Sequence, residues 1–125
     1  MNQDEQYILA VDDEPELLGF LVDALKHLGY KNIFSASTGE DAWTLFKENP
    51  QITLLISDVA MPPRLSGYKL AKKINKKNPD VKIILTSGYS RKALSNAGQE
   101  MFQLNMLPKP YDIEELDREI RAALF

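Results

Sequence analysis

Short runs of isoleucine, valine and leucine alternate along this chain with amphipathic stretches, and that alternation restricts the fold more than any other feature. Tyr7-Ile8-Leu9-Ala10-Val11 is apolar at odd and even positions alike, the pattern of a strand covered on both faces. Ile52 to Ile56 and Val81 to Leu85 share it, while Asn32 to Ala36 and Met106-Leu107 are weaker versions. Between these runs the spacing turns helical. Pro15 suits a first helical turn, Leu17, Leu21, Leu25 and Leu28 hold one stripe, and Gly29 closes the helix. Ser37-Thr38-Gly39-Glu40 reads as a capping box that opens a second helix through Ala42, Leu45 and Phe46. Tyr68, Ala71 and Ile74 mark a third, ended by Asn78-Pro79. Arg91 to Gln103 is the poorest helix, weakened by Gly98, and is expected to be the most mobile. Ile113, Leu116, Ile120 and Leu124 mark the last. Five strand–helix units in series predict a doubly wound α/β fold, a parallel sheet with helices on both faces.

Composition narrows the chemistry. The 125 residues suit one domain with its own core. The absence of cysteine removes disulfides and thiolate chemistry, and a single histidine cannot build a His cluster. A net charge of −3 gives no general pull toward nucleic acid. The longest run without a polar side chain, Leu17 to Val22, is far too short to span a membrane, and the acidic N-terminus is no signal peptide. A soluble cytoplasmic domain is the expectation.

In a doubly wound sheet ligands bind beyond the carboxyl ends of the strands. There the sequence places Asp12-Asp13-Glu14, Ser57-Asp58, Thr86-Ser87-Gly88 and Lys109-Pro110. Clustered carboxylates resist ionising together, and a hard divalent cation relieves that. Mg²⁺ favours such oxygen ligands. A lysine opposite suits phosphate, a hydroxyl can donate to a phosphate oxygen, and an aspartate so placed can attack phosphorus.

Taken together, Ile8-Leu9-Ala10-Val11-Asp12-Asp13-Glu14, Ser57-Asp58-Val59-Ala60-Met61-Pro62, Gly67, Thr86-Ser87-Gly88 and Lys109-Pro110 resemble the receiver domain of two-component response regulators. The resemblance covers essentially the whole chain. It implies a flavodoxin-like (βα)5 fold, strand order 2-1-3-4-5, as one receiver domain over 1–125 with its core at about 7–124; no output domain is expected within these residues, whether the receiver works alone by contact or is excised from a larger protein. Asp58 would be the phosphoacceptor. Asp12, Asp13, Asp58 and the backbone carbonyl of Ala60 would hold Mg²⁺, for which Mn²⁺ can substitute. Ser87, or less favourably Thr86, would be the switch hydroxyl, and Lys109 would bind the phosphoryl group. The Lys109–Pro110 bond is often cis in the family. The partner would be a sensor histidine kinase or histidine phosphotransfer protein. The output would be a repacking of the helix over 91–103, the last strand and the last helix. The chain is expected to be a monomer or weak dimer.

Some positions depart from the family pattern. Met106 stands where many receivers carry the switch aromatic. Ala60 and Tyr89, at positions that tune phosphate lifetime, cannot easily orient an attacking water, so self-dephosphorylation is expected to be slow. The loop Pro63-Arg64-Leu65-Ser66 is one residue longer than the common spacing. His27, late in its helix, is expected to face solvent, and Trp43 to serve packing. Arg64, Lys69, Lys72, Lys73, Lys76 and Lys77 form a basic stretch that reads first as a solvated helix face, with nucleic acid an unlikely partner.

Rival functions find less support. The glycines never form G-x-G, and no Walker A loop occurs, which disfavours a nucleotide- or flavin-binding enzyme. Asp58-Val59-Ala60 is not the D-x-D of aspartate-nucleophile phosphatases. A phosphorylation-independent interaction module on the same fold is the alternative, and Met106 alone gives it weight.

Overall fold

The computed structural model describes residues 3–59, 66–88 and 105–125. Five parallel strands form one sheet in the order β2-β1-β3-β4-β5: β1 Tyr7–Val11, β2 Asn32–Ala36, β3 Leu54–Asp58, β4 Lys82–Ser87 and β5 Asn105–Pro108. Four α-helices occur among the described residues: α1 Pro15–His27, α2 Gly39–Glu48, α3 Gly67–Lys77 and α4 Ile113–Leu124. The helix expected over 91–103, the loop with Ala60 and Arg64, and Tyr89 lie outside the described residues.

Alternation along the strands builds two cores. Leu9, Val11, Leu55, Ile83 and Leu85 face one side, where Ala42 and Phe46 of α2 and Leu70, Ala71 and Ile74 of α3 cover them. Ile8, Ala10, Leu54, Ile56 and Ile84 face the other, under Leu21 and Leu25 of α1 and Leu116 and Ile120 of α4. Both faces are covered, which is why the strands carry apolar residues at odd and even positions alike through most of their length.

The two central strands lie further along the chain than hydrophobicity places them. Ile52 and Val81 are buried, at 1% and 4% exposure, but precede their ladders. The ladders run on instead through Ser57-Asp58 and Thr86-Ser87, all buried. Hydrophobicity reports burial, and these polar ends are buried without being apolar.

Local signals set the helix ends. Thr38, with extended backbone, caps α2 by accepting from the Asp41 N–H at 3.0 Å. The cap is thus one residue later than the expected box starting at Ser37. Ser66 caps α3, and Asp112 and Glu115 form a reciprocal capping box on α4. Gly29 ends α1 at φ +101°, a conformation other residues resist, and Gln3 Nε2 donates to the Leu28 carbonyl beside it at 2.7 Å.

Candidate metal and phosphoryl site

The strand register assembles the site. Val11 pairs with Ser57, so Asp12 emerges beside Asp58 at the point where strand order reverses. Asp58 pairs with Thr86, and Ser87 pairs with Pro108, which brings Lys109 to the same edge. Backbone bonds carry the ladder onto these residues: the Val59 N–H donates to the Thr86 carbonyl at 2.9 Å, and the Lys109 N–H to the Ser87 carbonyl at 2.8 Å. The Lys109–Pro110 bond is cis.

One carboxylate oxygen from each of Asp12, Asp13 and Asp58 lies within 4.8 Å of the others. Asp12 and Asp58 are buried, at 2% and 7% exposure, and Asp13 is exposed. Asp12 is held by its own turn: its Oδ1 accepts from the Glu14 N–H at 3.0 Å, so Asp12, not Glu14, serves the entry to α1. Lys109 Nζ donates to Asp12 Oδ2 at 2.9 Å and lies 3.5 Å from Asp58 Oδ2. Burial works against the ammonium charge, but the bond to Asp12 and the charges of Asp58 and Asp12 outweigh it and hold the Lys109 pKa above its ordinary value. Three carboxylates against one lysine leave the cluster net negative. An all-oxygen, mostly buried cluster of this charge fits a hard divalent cation such as Mg²⁺.

Ser87 and Thr86 are both buried at the end of β4. Ser87 shares the register row of Pro108, immediately before Lys109. Met106, in place of an aromatic, is half-buried against the same core cluster as Tyr68. His27 is exposed, and Trp43 packs on Phe46 at 5.9 Å, both as expected.

Two contributors escaped the sequence reading. Gly67, read only as part of a motif, opens α3 directly on β3 beside Asp58. A Cβ there would lie 1.7 Å from the Asp58 carbonyl oxygen. Tyr111, two residues after Lys109, stands between the site and α1, with its ring 5.8 Å from Phe20. Burial first, then the charges of Asp12 and Asp58, push its phenol up to about 12. The fold therefore favours the neutral phenol. Its contribution to stability is full below the ordinary value of 10.0 and is lost as pH rises through about 12. Phenolate absorbance of wild type against Tyr111→Phe should show one tyrosine titrating late. Adding Mg²⁺ should lower that midpoint by offsetting the two aspartates. An ordinary midpoint, unmoved by the metal, would contradict this placement.

Comparison with known proteins agrees with the geometry. The family described as "Response regulator receiver domain" matches residues 8–121. The chain is 31% identical to the response regulator receiver protein CpdR of Brucella abortus, over 94% of this chain and 95% of that one. It is 30% identical to the sensor kinase CckA of the same organism, again over 94% of this chain but only 12% of the kinase. A crystal structure of the receiver domain from the hybrid histidine kinase CckA superposes with a TM-score of 0.77 at 32% identity, over 95% of this chain and 99% of that one.

Proposed function

This chain belongs to the response regulator receiver domain family of two-component signalling, and we propose from that premise that it takes a phosphoryl group from phosphohistidine onto Asp58. The observation that carries this reading is the convergence of Asp12, Asp13 and Asp58 with Lys109 on one sheet edge. An Asp58 carboxylate oxygen attacks phosphorus, the P–N bond breaks, and the imidazole leaves with the electron pair. The product is an acyl phosphate on Asp58.

Asp12, Asp13, Asp58 and the carbonyl of Ala60 would hold Mg²⁺, which when bound neutralises carboxylate and phosphoryl charge. Lys109 holds one equatorial phosphoryl oxygen, exchanging its bond to Asp12 for the new and larger charge. Ser87 donates to another oxygen. The movement of Lys109 and Ser87 shifts the population of packings at β5 and the neighbouring helices. Met106, flexible and unbranched, repacks where other receivers turn an aromatic ring. The donor is a sensor histidine kinase or histidine phosphotransfer protein. The chain acts as a signalling receiver with slow self-dephosphorylation rather than as an enzyme with an external substrate. A phospho-form lifetime of only seconds without a phosphatase would count against that slowness.

Beryllofluoride with Mg²⁺ tests the reading through a stable stand-in for the phosphoryl group. Backbone NMR signals of Asp58, Ser87 and Lys109 should move in wild type, and those of Ser87 and Lys109 should stay still in Asp58→Ala. Silence in wild type would instead favour a phosphate-blind interaction module.

A further inference from the structure

Helix α3 carries Lys69, Lys72, Lys73, Lys76 and Lys77 and no acidic residue. All five lysines are exposed, while Leu70, Ala71 and Ile74 on the other side are buried in the core. Positions 69, 72, 73, 76 and 77 follow the helical three–four spacing, so the charges form one stripe about 12 Å long. Aromatic rings widen it toward α2. Lys73 Nζ lies 4.5 Å and Lys47 Nζ 5.6 Å from the Trp43 ring centre, and Lys72 Nζ lies 5.5 Å from that of Tyr68.

A helix face that serves solubility alone gains by alternating signs, because opposite charges three or four residues apart attract and like charges repel. This stripe does the reverse throughout. Lys76 and Lys77 suit the negative end of the helix dipole, but Lys69 sits in the first turn, where the dipole opposes it. A single-sign stripe whose like charges repel one another, with Lys69 opposed by the dipole as well, fits a standing contact with negative charge.

We propose that this face docks an acidic segment of a partner protein, with carboxylates at helical spacing laid along the stripe. Charge complementarity supplies the recognition. A short acidic segment fits better than nucleic acid, because the stripe is only about 12 Å long and the whole chain is net −3. A segment of two or three turns matches that length, whereas a long polyanion would extend beyond it over a chain of net negative charge. The surface lies on the α2–α3 side of the sheet, away from α1 and α4, and it requires no phosphoryl group.

The test titrates the full chain at low salt with a synthetic alanine-based peptide bearing glutamates at three- and four-residue spacing. A duplex DNA serves as the rival probe. The expected result is movement of α3 amide signals and a change in fluorescence of Trp43, the single tryptophan, with affinity falling as salt rises. Lys69→Glu combined with Lys76→Glu leaves the Lys47 and Lys73 contacts to Trp43 in place. It should weaken peptide binding by about tenfold or more. The pair Lys69→Gln and Lys76→Gln, which removes charge without reversing it, should weaken it less. An unchanged unfolding midpoint would show that both variants fold. No movement on α3, equal binding by the reversed variant, or tighter binding of the duplex would each overturn the proposal.

Discussion

Replacing Gly67 by alanine is expected to cost about 3 kcal/mol or more and to distort the sheet edge that carries Asp58. The new Cβ would meet the Asp58 carbonyl oxygen at 1.7 Å, its carbon at 2.7 Å and Ser57 Oγ at 2.8 Å. Two of these atoms are backbone in a central strand paired on both sides, so they cannot rotate away. Ser57 Oγ donates to that same carbonyl at 3.0 Å and resists displacement. Helix α3 must therefore lift from β3, which opens the contacts of Leu70, Ala71 and Ile74 with the core. A denaturant melt measures the cost, and phosphorylation of whatever remains folded measures the damage at Asp58. Alanine at Gly19, where nothing lies within 4 Å, is the control and should be tolerated. Near-wild-type stability for Gly67→Ala would contradict the close approach of α3 to β3.

Lys109→Met should produce the second large effect, and one that depends on metal. The side chains of Asp12 and Asp58 are 3% and 10% exposed, and Lys109 stands 2.9 and 3.5 Å from them. Methionine keeps the bulk and removes the charge, leaving two nearly buried carboxylates to face each other. Breaking such a buried pair costs about 3 kcal/mol. In chelator the variant should therefore unfold at clearly lower denaturant. Mg²⁺ should restore more stability to it than to wild type, because its cluster is the more negative. Adding Asp58→Asn to Lys109→Met should recover part of the loss without metal. Equal stability in chelator and equal responses to Mg²⁺ would contradict the role assigned to Lys109. Its phosphorylation should fall in either case, since the cation proposed to hold a phosphoryl oxygen is gone.

Much of this is legible in the sequence. The apolar runs reported the strands because both faces of the sheet are covered, and the residues following each run fell on one edge because parallel strands share a direction. The sequence was less informative where polar residues are buried. The apolar runs begin at Ile52 and Val81, ahead of β3 and β4, while Ser57-Asp58 and Thr86-Ser87 end those strands as expected without any hydrophobic pattern to mark them. The cap of α2 fell on Thr38 rather than Ser37, a choice made by the backbone angles of one residue. The bond from Lys109 to Asp12 depends on where a long side chain comes to rest across 97 positions of chain, which no local pattern encodes. Tyr111 carries no motif of its own. Its signal was its place two residues after Lys109, where a strand end turns toward α4.

The most direct test of the central claim is intact mass after incubation with acetyl phosphate and Mg²⁺, on wild type and on Asp58→Ala. Transfer of one phosphoryl group to wild type, abolished by chelator and absent from the variant, is the result this account predicts. An equal gain in Asp58→Ala would contradict it, as would no gain in wild type from either acetyl phosphate or a phosphorylated histidine phosphotransfer protein.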